Sequence, residues 1–232
     1  MTFTTLNYLA LTHDSSLTGI LKQYSTAISP RILDLGCGVG THTLSLANVF
    51  TNAELLGIDI SSSNITAALK TVTDNRQYNI KFVEADYLTL NDSGFDIIHA
   101  ESVLHLITAD DADLYQKISN DLNKNGILAV TMPYDCIYNR LLIAARQLLK
   151  ILRNPLLDKC ILKIASWLHP EIDIAVLRDR IPYMYIIPQR LYSKRLQNLF
   201  DKKYNLKVIY SEKCQHASLA KPRHKIILFQ KN

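Results

Sequence analysis

The chain has 232 residues, 48% hydrophobic and 20% charged, with a net charge of +5. That is enough apolar material for one α/β domain with a substantial core, and the mild basic excess suits an acidic ligand, nucleic acid or a membrane surface without choosing among them. Four scattered cysteines, Cys37, Cys136, Cys160 and Cys214, form no C-x-x-C pair, which argues against a zinc site and for reduced thiols. No uncharged stretch reaches the ~18–20 residues of a membrane span. Met1–Leu11 lacks the basic-then-apolar layout of a secretory leader, so a cytoplasmic protein is expected.

Residues 1–29 precede the first strand. Leu6, Leu9, Leu17, Ile20, Leu21 and Tyr24 give a loose helical pattern, with Asp14, Ser15 and Ser16 placed to cap a helix running to about Ile28. Arg31–Leu35 is an apolar run with one acid, Asp34, inside it. Gly36, Gly38 and Gly40 follow at alternate positions, and Thr41–Phe50 is amphipathic. This predicts a buried strand, a tight glycine turn and a helix start, a combination that brings backbone close to a ligand and offers free N–H groups to an anionic one. The dinucleotide fingerprint G-x-G-x-x-G does not fit: its third glycine falls on Thr41 read from Gly36, and on Thr43 read from Gly38.

Glu54–Ile60 predicts a second strand ending in Asp59, a carboxylate placed to accept from both hydroxyls of a ribose. Ser61–Ser63 would cap the next helix. Asn79–Tyr87 reads as a third strand ending in Ala85-Asp86-Tyr87, and Phe95–His105 as a fourth strand with the loop beyond it. Asp110–Leu122 is an amphipathic helix stopped by Asn123–Gly126. Ile127–Met132 is a fifth strand ended by Pro133. Alternation of this kind implies a parallel sheet with helices on both faces.

The D-x-G-C-G-x-G turn at 34–40, with Asp59, Asp86 and the Phe95-Asp96…Leu104-His105 segment following in order, resembles class I S-adenosylmethionine (SAM)-dependent methyltransferases of the small-molecule type. The likeness covers about 30–135 by motif and 186–231 by strand pattern. It implies a Rossmann-like seven-stranded sheet of order 3-2-1-4-5-7-6, with a helical insertion after strand 5 and SAM as cofactor. It also implies cofactor contacts from Asp34, Gly36, Cys37, Gly38 and Gly40, with Asp59 on the ribose and Ile60 packing on adenine. Asp86 would accept from the adenine amino group, Tyr87 would add a π face, and the Ala100 carbonyl would take the methionine ammonium. Glu101, Ser102 and His105 would lie near the transferred methyl, with His105 either a general base or a substrate-orienting group. His99 reads as a satisfied or edge histidine. In such proteins the N-terminal segment folds over the cofactor, bringing Tyr8, His13 and Asp14 towards the site; an ordinary packing helix is the alternative.

Residues 137–185 carry no motif. Ile137–Leu168 is helical and basic, broken at Asn154-Pro155, with its basic residues on one side of a helical wheel and its leucines and isoleucines on the other. Three readings stand: a packing or lid helix with a solvated basic face, a cap over an apolar or anionic substrate, or a surface helix touching anionic lipid. Arg178–Pro188 reads as an extended loop between prolines, with Arg180, Tyr183 and Tyr185 as acceptor-side candidates, or as anchors of the insertion. Gln189–Tyr204 predicts a helix, and Asn205–Ser211 and Lys225–Gln230 a closing hairpin; His216, Arg223 and His224 lie in or beside its connection.

The expected architecture is therefore one domain over 1–232, with a helical cover at 1–29 and a cap at 137–185. The expected activity is methyl transfer from SAM to oxygen or nitrogen of a small molecule, apolar or acidic, without a metal ion because no magnesium-binding acid cluster is evident. No N-P-P-Y-like motif follows the fourth strand, where the chain reads His99-Ala-Glu-Ser102, so nucleic acid is disfavoured. The competing readings are a SAM-binding partner protein without turnover and a nicotinamide-dependent oxidoreductase.

Overall fold

The structure, a computed structural model, describes residues 14–73, 79–170, 173–214 and 221–232. Seven strands form one sheet: β1 (Arg31–Leu35), β2 (Glu54–Asp59), β3 (Ile80–Glu84), β4 (Phe95–Glu101), β5 (Leu122–Pro133), β6 (Leu206–Lys213) and β7 (His224–Lys231). Their order is β3-β2-β1-β4-β5-β7-β6, as the resemblance implies. The first five run parallel and β7 enters antiparallel between β5 and β6. The central strands are apolar on both sides; β4 is buried from Ile97 to Ala100. That is the composition of a strand covered on both faces.

One face is covered by α1 (Asp14–Tyr24) and α2 (Thr41–Val49), whose Leu17, Leu21, Leu46 and Ala47 pack with Ile32, Leu55 and Ile97. The described part of the N-terminal segment is thus a wall of the core. On the other face lie α4 (Asp111–Asp121) and α8 (Lys194–Tyr204), where Tyr115, Phe200, Tyr204 and Phe229 make a ring cluster. The helix α3 (Ser62–Thr73) seats Ile65 and Ala68 against Phe82 and Cys37.

Several boundaries differ from those predicted. Asn123–Gly126 does not separate α4 from β5: Leu122 already pairs with Phe95 and Ile127 with Ile97, so these four residues loop out as a bulge, with Asn125 at φ 64. The end of α4 is held instead by Lys231, whose ammonium donates to the Ser119 and Leu122 carbonyls. The α8 helix starts at Lys194 rather than Gln189, because Ser193 caps it by accepting from Leu196 N–H. After β5 come α5 (Ile137–Ile151), α6 (Pro155–Leu168) and α7 (Ile174–Arg180). The run breaks at Asn154-Pro155, as predicted, with Asn154 capping α6 and Pro155 at its first position. Arg178–Pro188 is not extended: α7 runs into a 3-10 turn, Ile181–Tyr185, with Ile181 in the right-handed helical region although it precedes a proline.

Candidate functional site

The central crevice is opened by unequal pairing. β4 pairs with β1 only as far as Asp34↔His99, but with β5 as far as Glu101↔Thr131. Beyond His99 the two central strands part at their carboxyl ends, where strand order reverses and where open α/β sheets bind ligands. The glycine turn fills the floor of that gap. Gly36, Gly38 and Gly40 have φ of 71°, 56° and 85°, a region in which side-chain-bearing residues are strained. Gly36 and Cys37 N–H both donate to the Ile58 carbonyl, at 2.8 and 2.9 Å.

Asp59 ties the turn to the next helix. One carboxylate oxygen accepts from Gly38 N–H at 3.0 Å and the other from Ser61 N–H at 2.8 Å. Each oxygen keeps a second lone pair, and the residue is half-buried, so a diol can be accepted from the cleft side. Ile60 beside it is 72% exposed, an apolar surface at the mouth. Ala85 N–H donates to the Asp59 carbonyl, which brings exposed Asp86 alongside. Asp86 Oδ1 accepts from Leu88 N–H at 2.9 Å, capping a 3-10 turn at Tyr87–Thr89. Asp59, Ile60, Asp86 and the glycine turn are thus brought together along one edge of the crevice. Ala100 lies one residue past the end of the β1–β4 pairing, its methyl fully buried and its main chain bordering the gap.

Three expected contacts do not offer their side chains to the cleft. Tyr87 is buried in the main core with the Lys117 ammonium 5.0 Å from its ring centroid, so it has no π face for a ligand. Cys37 packs its thiol against the core of α3, and burial raises its pKa, with Asp34 and Asp59 adding to the rise. Asp34 is buried and spends its oxygens inside: Oδ2 accepts from Thr43 Oγ1 at 2.5 Å, and Oδ1 meets His99 Nδ1 at 2.8 Å. Burial opposes the charge of Asp34, but the His99 and Thr43 hydrogen bonds outweigh it and hold the carboxyl below its usual range. Asp34 therefore braces the turn from beneath, and His99 is the satisfied histidine that the sequence suggested.

The chain of charge continues upward. His99 Nε2 lies 3.7 Å from Glu101 Oε2, and His42 Nδ1, in the first turn of α2, lies 3.1 Å from the same oxygen. Burial raises the Glu101 pKa, and the His42 hydrogen bond with the two imidazoles more than reverses this, so the carboxyl titrates below its ordinary value. Ligand atoms of His42, His99 and Glu101 all lie within 4.8 Å of one another, a donor set of the kind that divalent transition metals use. Sequence reasoning picked Glu101 but missed His42, for which no motif or period signals a partner 59 residues on.

Past Glu101, Ser102 adopts φ 55° and swings the chain out of the sheet, so that Val103 falls over Gly36. His105 follows in a 3-10 turn (Leu104–Leu106) and is buried. Its ring stands edge-on to His224 at 5.7 Å between centroids. Burial, with the positive fields of His224, Arg190 and Arg146, pushes its pKa down to about 3. An imidazole that resists protonation this strongly is a weak general base, and a neutral, substrate-orienting ring is the other role that the resemblance allowed for His105.

Arg190, which sequence reasoning passed over, clamps this loop. It donates to the Leu104, Ile107 and Ala109 carbonyls at 2.7, 2.9 and 3.0 Å and to Asp111 at 2.7 Å. Tyr185 is buried in the insertion, its hydroxyl donating to Asp158 and its ring under the Arg153 guanidinium at 4.5 Å. It anchors α6, the second of the two roles that the sequence allowed for it. Arg180 and Tyr183 sit on α7 and its 3-10 turn, with their side chains outside the described residues, as are Tyr8, His13 and His216.

A family model described as a methyltransferase domain matches residues 29–203. Trans-aconitate 2-methyltransferase of Deinococcus radiodurans is 33% identical over 116 residues, 49% of this chain and 42% of that protein. Malonyl-[acyl-carrier protein] O-methyltransferase of Legionella pneumophila is 28% identical over 109 residues, 47% of this chain and 38% of that protein. The chain thus matches less than half the length of these relatives. Among solved structures, magnesium protoporphyrin IX methyltransferase from Synechocystis PCC 6803 with bound SAH superposes with a TM-score of 0.63 at 12% identity, covering 96% of this chain and 84% of that one; it shares the fold.

Proposed function

The chain belongs to the class I SAM-dependent methyltransferases, and on that premise we propose that it moves the methyl group of SAM to oxygen or nitrogen of a small acidic or apolar molecule. The observation that carries this reading is Asp59, which joins the glycine turn to α3 through Gly38 and Ser61 and keeps lone pairs for a ribose. Asp86 stands beside it for the adenine amino group, Ile60 supplies the apolar face, and the Ala100 main chain borders the place for the methionine ammonium. Asp34 and His99 hold the floor rigid.

SAM supplies the activated methyl, so the protein's task is to position an acceptor in line and exclude water. A carboxylate acceptor needs no base, which agrees with an uncharged His105. The relatives named for trans-aconitate and malonyl-[acyl-carrier protein] support an acidic acceptor. A sulfonium methyl needs no Lewis acid, so we read His42, His99 and Glu101 as an ion-paired brace and the reaction as metal-independent. The test is incubation with methyl-labelled SAM and panels of carboxylic acids, amines and phenols. Label in one of the acids or amines is expected. SAM binding with no transfer across all panels would replace this reading with that of a non-catalytic partner protein.

A further inference from the structure

Helix α5 turns an apolar face outward. Ile137, Leu141, Ala144, Ala145, Leu148, Ile151 and Leu152 recur at three- and four-residue steps and so share one face. That face is turned to solvent, with Ile137 78%, Leu148 57% and Ile151 81% exposed. The inward face carries Asn139 and Arg146, the two buried residues of the helix, with Leu142, Ile143 and Leu149 half-buried beside them. Asn139 donates to the Tyr134 and Arg223 carbonyls at 2.7 and 2.8 Å and accepts from Arg223 N–H at 2.7 Å; Arg146 donates to the Ile186 carbonyl at 2.8 Å. The helix cannot roll to bury Leu141, Leu148 and Ile151 without breaking these bonds. Arg140 and Lys150 remain exposed along one edge of this outer face, so α5 presents a basic margin beside the apolar one.

Helix α6 extends the surface. None of its residues is buried, and Leu156, Cys160, Ile164 and Trp167 project together, Trp167 80% exposed. Lys150, Lys159 and Lys163 are exposed along the same pair of helices, and Asp158 is the one acid between 137 and 168. Asp158 is engaged with Tyr185 and Arg153. An exposed apolar patch of this extent marks an interaction site.

We propose that the outer face of α5 and α6 docks on an anionic lipid bilayer, with Leu141, Leu148, Ile151 and Trp167 entering the interface and Lys150, Lys159 and Lys163 meeting the headgroups. Charge decides the occupant. A second copy seated on this face would bring lysine rim against lysine rim, which costs several-fold in affinity per pair, whereas anionic headgroups neutralise it. Apolar residues with an interfacial tryptophan and flanking lysines are the composition of a helix lying in the membrane surface. Among the described residues no helix is long and apolar enough to cross. This inference needs none of the methyl-transfer chemistry above.

Trp167 is the chain's single tryptophan, so its fluorescence reports on this face alone. The full chain is mixed with phosphatidylcholine vesicles, with and without phosphatidylglycerol, and with brominated lipid as quencher. With anionic vesicles the emission shifts to the blue and is quenched by brominated lipid, and salt weakens the effect. Each Lys→Gln change at 150, 159 or 163 lowers affinity about fivefold. The triple variant Leu141→Gln, Leu148→Gln, Ile151→Gln lowers it at least about tenfold with unchanged circular dichroism, since these side chains are exposed. No response to anionic vesicles overturns the proposal. So does a blue shift that follows protein concentration without lipid, the mark of a second copy. A tryptophan already shielded in dilute lipid-free protein overturns it too, because the chain's own residues then cover the face.

Discussion

Replacing Gly36 by alanine tests how the turn and the loop after β4 are fitted together. A Cβ at Gly36 would lie 2.6 and 2.9 Å from Val103 Cγ2 and Cβ, at a φ of 71°. The left-handed backbone costs a side-chain-bearing residue about 1–2 kcal/mol, and forcing a methyl against a packed neighbour costs about 1–3 kcal/mol more. The expected loss is therefore about 2–5 kcal/mol, a large part of the stability of an ordinary domain. Urea unfolding followed by circular dichroism reads it as a lower midpoint. A double-mutant cycle separates the two costs. Val103→Ala removes the Cγ atoms but not the strained φ, so Gly36→Ala should cost less in that background, by about 1–2 kcal/mol. A Gly36→Ala variant with the wild-type midpoint, or a cycle with no coupling, would refute the geometry of Val103 over the turn.

Other expectations follow from the same site. His105 has a folded pKa of about 3, below its unfolded value of about 6.5; between these the unfolded chain binds more protons, so stability falls as pH drops through that window, by up to about 1.4 kcal/mol per pH unit. His105→Gln should flatten that acid slope in urea titrations from pH 7 to 4, and an unchanged slope would show that His105 is not held neutral. The pH–rate profile should carry no inflection from His105 above pH 5. Arg190→Lys cannot reproduce the planar fork that reaches Leu104, Ile107, Ala109 and Asp111; it should cost on the order of 3 kcal/mol in thermal unfolding, and a loss under about 0.5 kcal/mol would remove Arg190 as the clamp. Chelator should leave methyl transfer unchanged; activity lost to chelator and restored by a divalent ion would make His42, His99 and Glu101 a metal centre.

What was legible from the sequence was local. The run from Arg31 to Thr41 announces strand, turn and helix because glycine at alternate positions leaves the backbone few alternatives. Asp59 was singled out because it ends an apolar run, where a carboxylate faces the crevice, and Asp86 because the resembled family carries an Ala-Asp pair at this spacing after it. The π face that the same resemblance gave Tyr87 is turned away: one residue past Asp86 the chain has turned, and the ring goes into the core under Lys117. Partners distant in sequence were invisible. Asp34 with His99, and His42 with Glu101, meet only because β1, β4 and the start of α2 converge. Periodicity located the apolar stripe of α5 but not its direction, because a helical wheel is silent about which side faces the sheet. Asn139 and Arg146 settle that with their bonds to the main chain. Arg178–Pro188 was misread because a residue before proline is usually extended; helix α7, capped by Asp173, carries Ile181 through regardless.

The central claim is that the glycine turn and Asp59 form a SAM site. Calorimetric titration of the purified protein with SAM, S-adenosylhomocysteine and NADH, repeated with Asp59→Ala, tests it most directly. Both sulfur ligands should bind, NADH should not, and the substitution should weaken binding by about 2–3 kcal/mol, the range for charge-assisted hydrogen bonds. Binding of NADH in place of the sulfur ligands, or SAM affinity indifferent to Asp59→Ala, would contradict the account.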